Sequence, residues 1–293
     1  MTTKVTQVKP LRNSEYEKDH FILNRWILRG AGLWAPETKS KIIKIGFNCY
    51  AVIVFLFVNL FFTPTEFVSI KDTYKNLNAL IKNLSFALTH LLGAIKVLFW
   101  YYRNKELRRI MNILESEELH YESKDDFQPA EIFRKAKRTG MKYTFTFYMM
   151  AHVTVSSSYI PPIVTTFTNP NYIENEQGNL TFYQPLPYFS WIPFSIDTPK
   201  SYLYALAYQM GPMYSYAYSI VGMDTLFMNI LNLTGAHMSV LKGAFRSIRG
   251  RCVEKMEKMK LLSKDEKSNK DLLDNMMRNE YKRSVKHIQT IFA

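Results

Sequence analysis

Three sets of polar and aromatic side chains stand inside long apolar stretches of this 293-residue chain. Asn83, Phe86, His90 and Gly93 follow the i, i+3, i+7, i+10 spacing of one helical face. Tyr148, His152, Ser156 and Tyr159 repeat at intervals of four, four and three residues. A third row holds Tyr204, Tyr208, Gly211 and Ser215, with Met210, Met213, Tyr214 and Ala217 beside it. Such rows could hydrogen-bond helix to helix, which contributes only ~0.6 kcal/mol per pair in a membrane. They could instead line a mostly apolar, adaptable cavity with a few hydroxyls for a small molecule. Pro161 and Pro162 favour the cavity. They cannot donate to the carbonyls of Ser157 and Ser158, so a local opening is expected there, and such backbone survives at membrane depth only beside protein or a cavity.

His90, His152 and Asp224 raise a different chemistry, an intramembrane proton relay in a small membrane enzyme or transporter. Their expected depths differ, and nothing in the spacing brings them together. Asp224 reads as structural, near the membrane interface, neutralised by a basic residue in the neighbourhood of Lys242. Enzyme signatures are missing: no H-E-x-x-H, paired C-x-x-C, glycine-rich phosphate loop or G-x-S-x-G occurs. The expectation is therefore no enzyme, no cofactor and no metal. The cysteines, Cys49 and Cys252, fall on different sides of any oxidising compartment and imply no disulfide framework.

These rows need helices to carry them. The mean hydropathy of -0.17 averages very unlike stretches. Ile42 to Phe62 has one charge, Lys44, and the ~20-residue length of a membrane span. Leu77 to Tyr101, Tyr143 to Phe167 and Leu203 to Leu226 are the further candidates. The last two carry so many hydroxyls that they should face one another or a cavity. The fold class expected is all-α: a multi-span membrane helix bundle with four spans and cytoplasmic helical extensions. Its divisions are a cytoplasmic segment 1–41, a bundle 42–233 with an extracellular loop 168–200, and a cytoplasmic helical tail 234–293. Arg103 to Glu118 and Val240 to Met259 read as amphipathic helices, and Lys255 to Asn279 as a mobile loop.

Orientation follows from the basic residues. The formal charge of +13 gathers before the first span, between the second and third, and after the fourth. The loop between the third and fourth offers only Lys200. The N-terminus and tail are then cytoplasmic, anionic lipid is the ordinary partner of the charge, and no nucleic acid is needed. In the outer loop lies Asn179-Leu180-Thr181, a glycosylation sequon at Asn179. The same loop has prolines at 185, 187, 193 and 199 and aromatics from Phe182 to Trp191. That composition makes an ordered, non-helical segment with something apolar beside it.

Three stretches resemble the insect odorant receptor family. Gly32-Leu33-Trp34-Ala35-Pro36 is similar to the family's lead-in to span one. Leu186-Pro187-Tyr188 through Trp191-Ile192-Pro193-Phe194 to Tyr208-Gln209 is similar to its extracellular segment between spans three and four. Val285-Lys286-His287-Ile288-Gln289 is similar to its cytoplasmic His-centred motif. The resemblance implies a subunit of an odorant-gated, non-selective cation channel in the plasma membrane of a sensory neuron dendrite. Its partners would be a small volatile organic odorant, the shared co-receptor and membrane lipid. By the same resemblance the ligand site falls around Phe86, His152, Ser156, Tyr159, Tyr208 and Met213, with the loop as a lid. A gustatory receptor of the same superfamily is the nearer alternative. The family has seven spans and the fifth would begin at Ala293, so the chain as written is expected not to conduct and to be retained in the endoplasmic reticulum.

Overall fold

A computed structural model describes residues 16–124, 127–174, 180–261 and 266–292. Among the described residues the architecture is all-α apart from one short hairpin, and the chain divides into two compact units. The first comprises residues 21–108 and 141–228, and the second comprises 16–20, 109–140 and 229–292. This division differs from the one expected along the sequence, because residues 109–140 group with the tail instead of with the bundle.

In the first unit, α1 (Ile22–Gly30) precedes α2 (Lys41–Phe55), which continues through a π-helical segment (Leu56–Phe62) into α3 (Thr63–Val68) and α4 (Ile70–Thr73). The run Lys41–Thr73 and helix α5 (Leu77–Leu114) are both long and apolar enough to cross a bilayer. Side chains of α2 such as Ile42, Ile45, Val52 and Ile53 point outward, as lipid contact requires. Helices α6 (Pro129–Thr168) and α7 (Pro199–Arg246) are 40 and 48 residues long and more polar. Between them strands β1 (Tyr172–Glu174) and β2 (Leu180–Phe182) pair antiparallel. The expected opening at Pro161 and Pro162 is not found: α6 is continuous through both. The hydroxyls of Thr165 and Thr166, one turn on, donate back to the Pro161 and Pro162 carbonyls at 2.9 and 2.8 Å.

The Gly-Leu-Trp stretch has a local cause. It caps α1 in a Schellman arrangement: Gly32 N–H donates to Arg29 O (3.1 Å) and Leu33 N–H to Leu28 O (2.8 Å). Gly32 takes the left-handed φ of 74° that this turn requires. The Leu33 carbonyl then accepts from Trp100 Nε1 at 2.9 Å, and the Arg108 guanidinium lies 3.8 Å over the Trp34 ring.

In the second unit, the remaining turns of α5, α6 and α7 join α8 (Ile248–Lys258) and α9 (Glu266–Phe292). The expectation of a mobile loop to Asn279 is corrected here, since residues 266–279 are helical. Among the charges of α9 sit Leu272, Leu273, Met276, Met277, Ser284 and His287, spaced to form one inward face. His287 is buried in a chain of bonds. His237 Nε2 donates to Leu114 O (2.9 Å), so its Nδ1 accepts from His287 Nε2 (3.0 Å), and His287 Nδ1 in turn lies 3.1 Å from the Tyr121 hydroxyl. Burial pushes His237 down to about 4 and His287 to about 3, so both are neutral at pH 7.

Candidate ligand site

The site grows from the inward faces of the first unit. On α5, Asn83, His90 and Gly93 are buried and Phe86 is half-buried, as their spacing requires. On α6, Tyr159 is buried below half-buried His152 and Ser156. On α7 the expected row is corrected. Tyr204 points outward, and the buried face runs instead through Tyr202, Leu206, Gln209, Met213 and Tyr216. Met213 lies on the buried face, and half-buried Tyr208 packs against it.

These faces meet in one aromatic cluster. Phe62, Tyr159, Tyr188, Met213 and Tyr216 are buried in it, with Phe86 and Tyr208 packed against it. The Phe86 ring stands edge-on to Tyr188 at 4.7 Å, Tyr159 lies 5.8 Å from Tyr188, and Tyr208 lies 5.7 Å from Phe62. Ser156 shares a hydrogen bond with Tyr214 at 2.7 Å, and the His152 ring lies 5.1 Å from the Tyr214 ring. Of the six residues singled out in the sequence, Phe86, Tyr159, Tyr208 and Met213 belong to or pack on this cluster, while His152 and Ser156 lie outside it and contact Tyr214. Asn179, the sequon residue, lies outside the described residues.

The proline-rich segment covers this cluster. Tyr188 enters it from the loop, and its carbonyl accepts from Gln209 Nε2 at 2.8 Å. Gln184 Nε2 donates to Pro162 O (3.0 Å) and the Tyr202 hydroxyl to Pro185 O (2.9 Å). The loop is thereby tied to α6 at one end and α7 at the other.

Two features escape sequence reading. The first is Glu66, a buried carboxylate on α3: His90 Nδ1 lies 2.7 and 2.8 Å from its two oxygens, and the Tyr216 ring stacks on His90 at 4.0 Å. A lone acidic residue just past an apolar run was the available signal. The second is the π segment, whose Val58 carbonyl accepts from the Thr63 hydroxyl (3.0 Å) and the Tyr216 hydroxyl (2.8 Å). Pro64, which has no N–H for the preceding turn, marks it.

His90, His152 and Asp224 each have a separate neighbour, so the relay geometry is not formed. Asp224 pairs with Lys96 at 2.7 and 2.9 Å, which corrects the expectation of a partner near Lys242.

Residues 76–291 match the family described as 7tm Odorant receptor. A comparison with curated proteins returns no match. Among solved structures, the insect olfactory receptor OR5 from Machilis hrabei is similar over 94% of this chain and 67% of that one, with a TM-score of 0.51 and 14% identity. At that identity the likeness speaks for the helical fold, while the family match covers well over half of the sequence. The chain belongs to the 7tm odorant receptor family.

Proposed function

We propose that this chain is the ligand-binding part of an odorant-gated, non-selective cation channel that works with a shared co-receptor. Its ligand is a small volatile organic molecule held among Phe86, His152, Ser156, Tyr159, Tyr208 and Met213. The chain is a multi-pass protein of the plasma membrane, with its N-terminus and residues 234–292 on the cytoplasmic side. The distribution of lysine and arginine supports that orientation. It has no enzymatic role in this reading.

One observation carries the ligand site: the Tyr159 hydroxyl, on a side chain 2% exposed at the centre of the aromatic cluster, has no hydrogen-bond partner among the described residues. Leaving such a group unpaired costs about 1–3 kcal/mol, which a bound molecule with one polar atom would recover. Reconstituting residues 1–293 in lipid nanodiscs and following thermal unfolding across an odorant panel tests this. At least one odorant should stabilise the chain saturably. Tyr159→Phe, which keeps the ring, should weaken that odorant about tenfold, whereas Val153→Ala on the exposed face should not. A panel without effect, or equal affinity in Tyr159→Phe, would refute the site.

A further inference from the structure

Among the buried polar atoms left open around the cluster, the Tyr159 and Tyr208 hydroxyls can either donate or accept, whereas two amide oxygens can only accept. Gln209 is fully buried, and its orientation is fixed: Nε2 donates to the Tyr188 carbonyl and to Ser190 Oγ, both at 2.8 Å, so Oε1 is the atom without a partner. Asn83, 1% exposed, is fixed by the same logic. The Ser69 hydroxyl donates to Glu66 O and the Thr73 hydroxyl to the carbonyls of Ser69 and Ile70. Both hydroxyl oxygens can therefore only accept from Asn83 Nδ2, at 3.0 and 3.2 Å, which leaves Asn83 Oδ1 bare. Glu66 adds a carboxylate whose two oxygens share a single imidazole nitrogen, although a carboxylate offers about four lone-pair sites.

Asn83 and His90 stand on one face of α5 with Phe86 between them, and Phe86 meets Tyr188, whose backbone Gln209 holds. We propose that this site selects small molecules with a hydrogen-bond donor, a hydroxyl or a protonated amine, directed at Glu66, Asn83 Oδ1 and Gln209 Oε1, over analogues that only accept. The proposal rests on the ligand-site reading above and adds the headgroup chemistry.

A matched series on one skeleton tests it with the unaltered chain: 2-phenylethylamine, 2-phenylethanol, 2-phenylethyl methyl ether and propylbenzene, titrated against thermal stability in nanodiscs. The amine and alcohol should bind at least about tenfold more tightly than the ether or the hydrocarbon. Glu66→Gln, which preserves shape and removes the charge, should weaken the amine about tenfold and the alcohol less than about threefold. Ether or hydrocarbon binding as tightly as the alcohol would overturn the headgroup assignment while leaving the ligand site standing. So would a panel in which other odorants bind and no member of this series does. Failure of every odorant would remove the site itself, and this proposal with it.

Discussion

Gly32 shows how much one residue can fix. Its φ of 74° is open to glycine and strained for any other L-residue, and a Cβ placed there would lie 3.2 Å from the Ala51 Cα. Gly32→Ala should therefore lower stability by about 1 kcal/mol or more, read as a lower unfolding midpoint in nanodiscs. An unchanged midpoint would mean that the cap rearranges without cost. The string Gly-Leu-Trp was legible in the sequence; that it is a helix cap was not, since the bonds to Leu28 and Arg29 exist only once α1 is formed. Glu66 was illegible for a related reason. Its partner His90 is 24 residues away, and only the packing of α3 on α5 gives a carboxylate in that position a reason to be buried.

At the scale of elements, the loop from Gln184 to Thr198 was readable as ordered because its prolines forbid a regular helix and its aromatics call for an apolar neighbour. What holds it was not readable: Gln184, Tyr202 and Gln209 are ordinary polar residues until their carbonyl partners are known. Tyr202→Phe keeps the ring contact with Phe182 at 5.4 Å and removes the bond to Pro185 O. Loss of one such bond is worth about 1 kcal/mol, so amides of residues 182–191 should exchange about fivefold faster while those of α5 stay unchanged. Equal exchange would show that ring packing alone secures the loop. On α7 the buried face was misjudged because tyrosines occur on both sides, outward at Tyr204 and inward at Tyr202 and Tyr216, so aromatic periodicity alone cannot choose. On α9 the charged residues hid the row of Leu, Met, Ser and His that faces inward.

At the scale of the whole molecule, the two units should answer protons differently, and the second carries the reason. In an unfolded chain a histidine titrates near 6.5. In the folded unit burial pushes His237 and His120 down to about 4 and His287 to about 3. Well above pH 6.5 all of them are neutral in both states, and their contribution to stability is complete. Between about 6.5 and 4 the unfolded chain takes up protons that the folded unit refuses, so stability must fall as pH falls. By pH 5 the loss is on the order of 2 kcal/mol for a single buried histidine. His237 and His287 share one hydrogen bond, so their losses do not simply add. Protonating either also inserts a donor where an acceptor is needed and breaks the chain from Leu114 O to Tyr121. Thermal unfolding of the reconstituted chain should therefore show a falling midpoint from pH 7.5 to 5. The double variant His237→Gln with His287→Gln should start lower and fall less over the same range, because it has lost the groups that take up the protons. If both proteins fall with the same slope, the proton linkage lies elsewhere and the histidine chain is only packing.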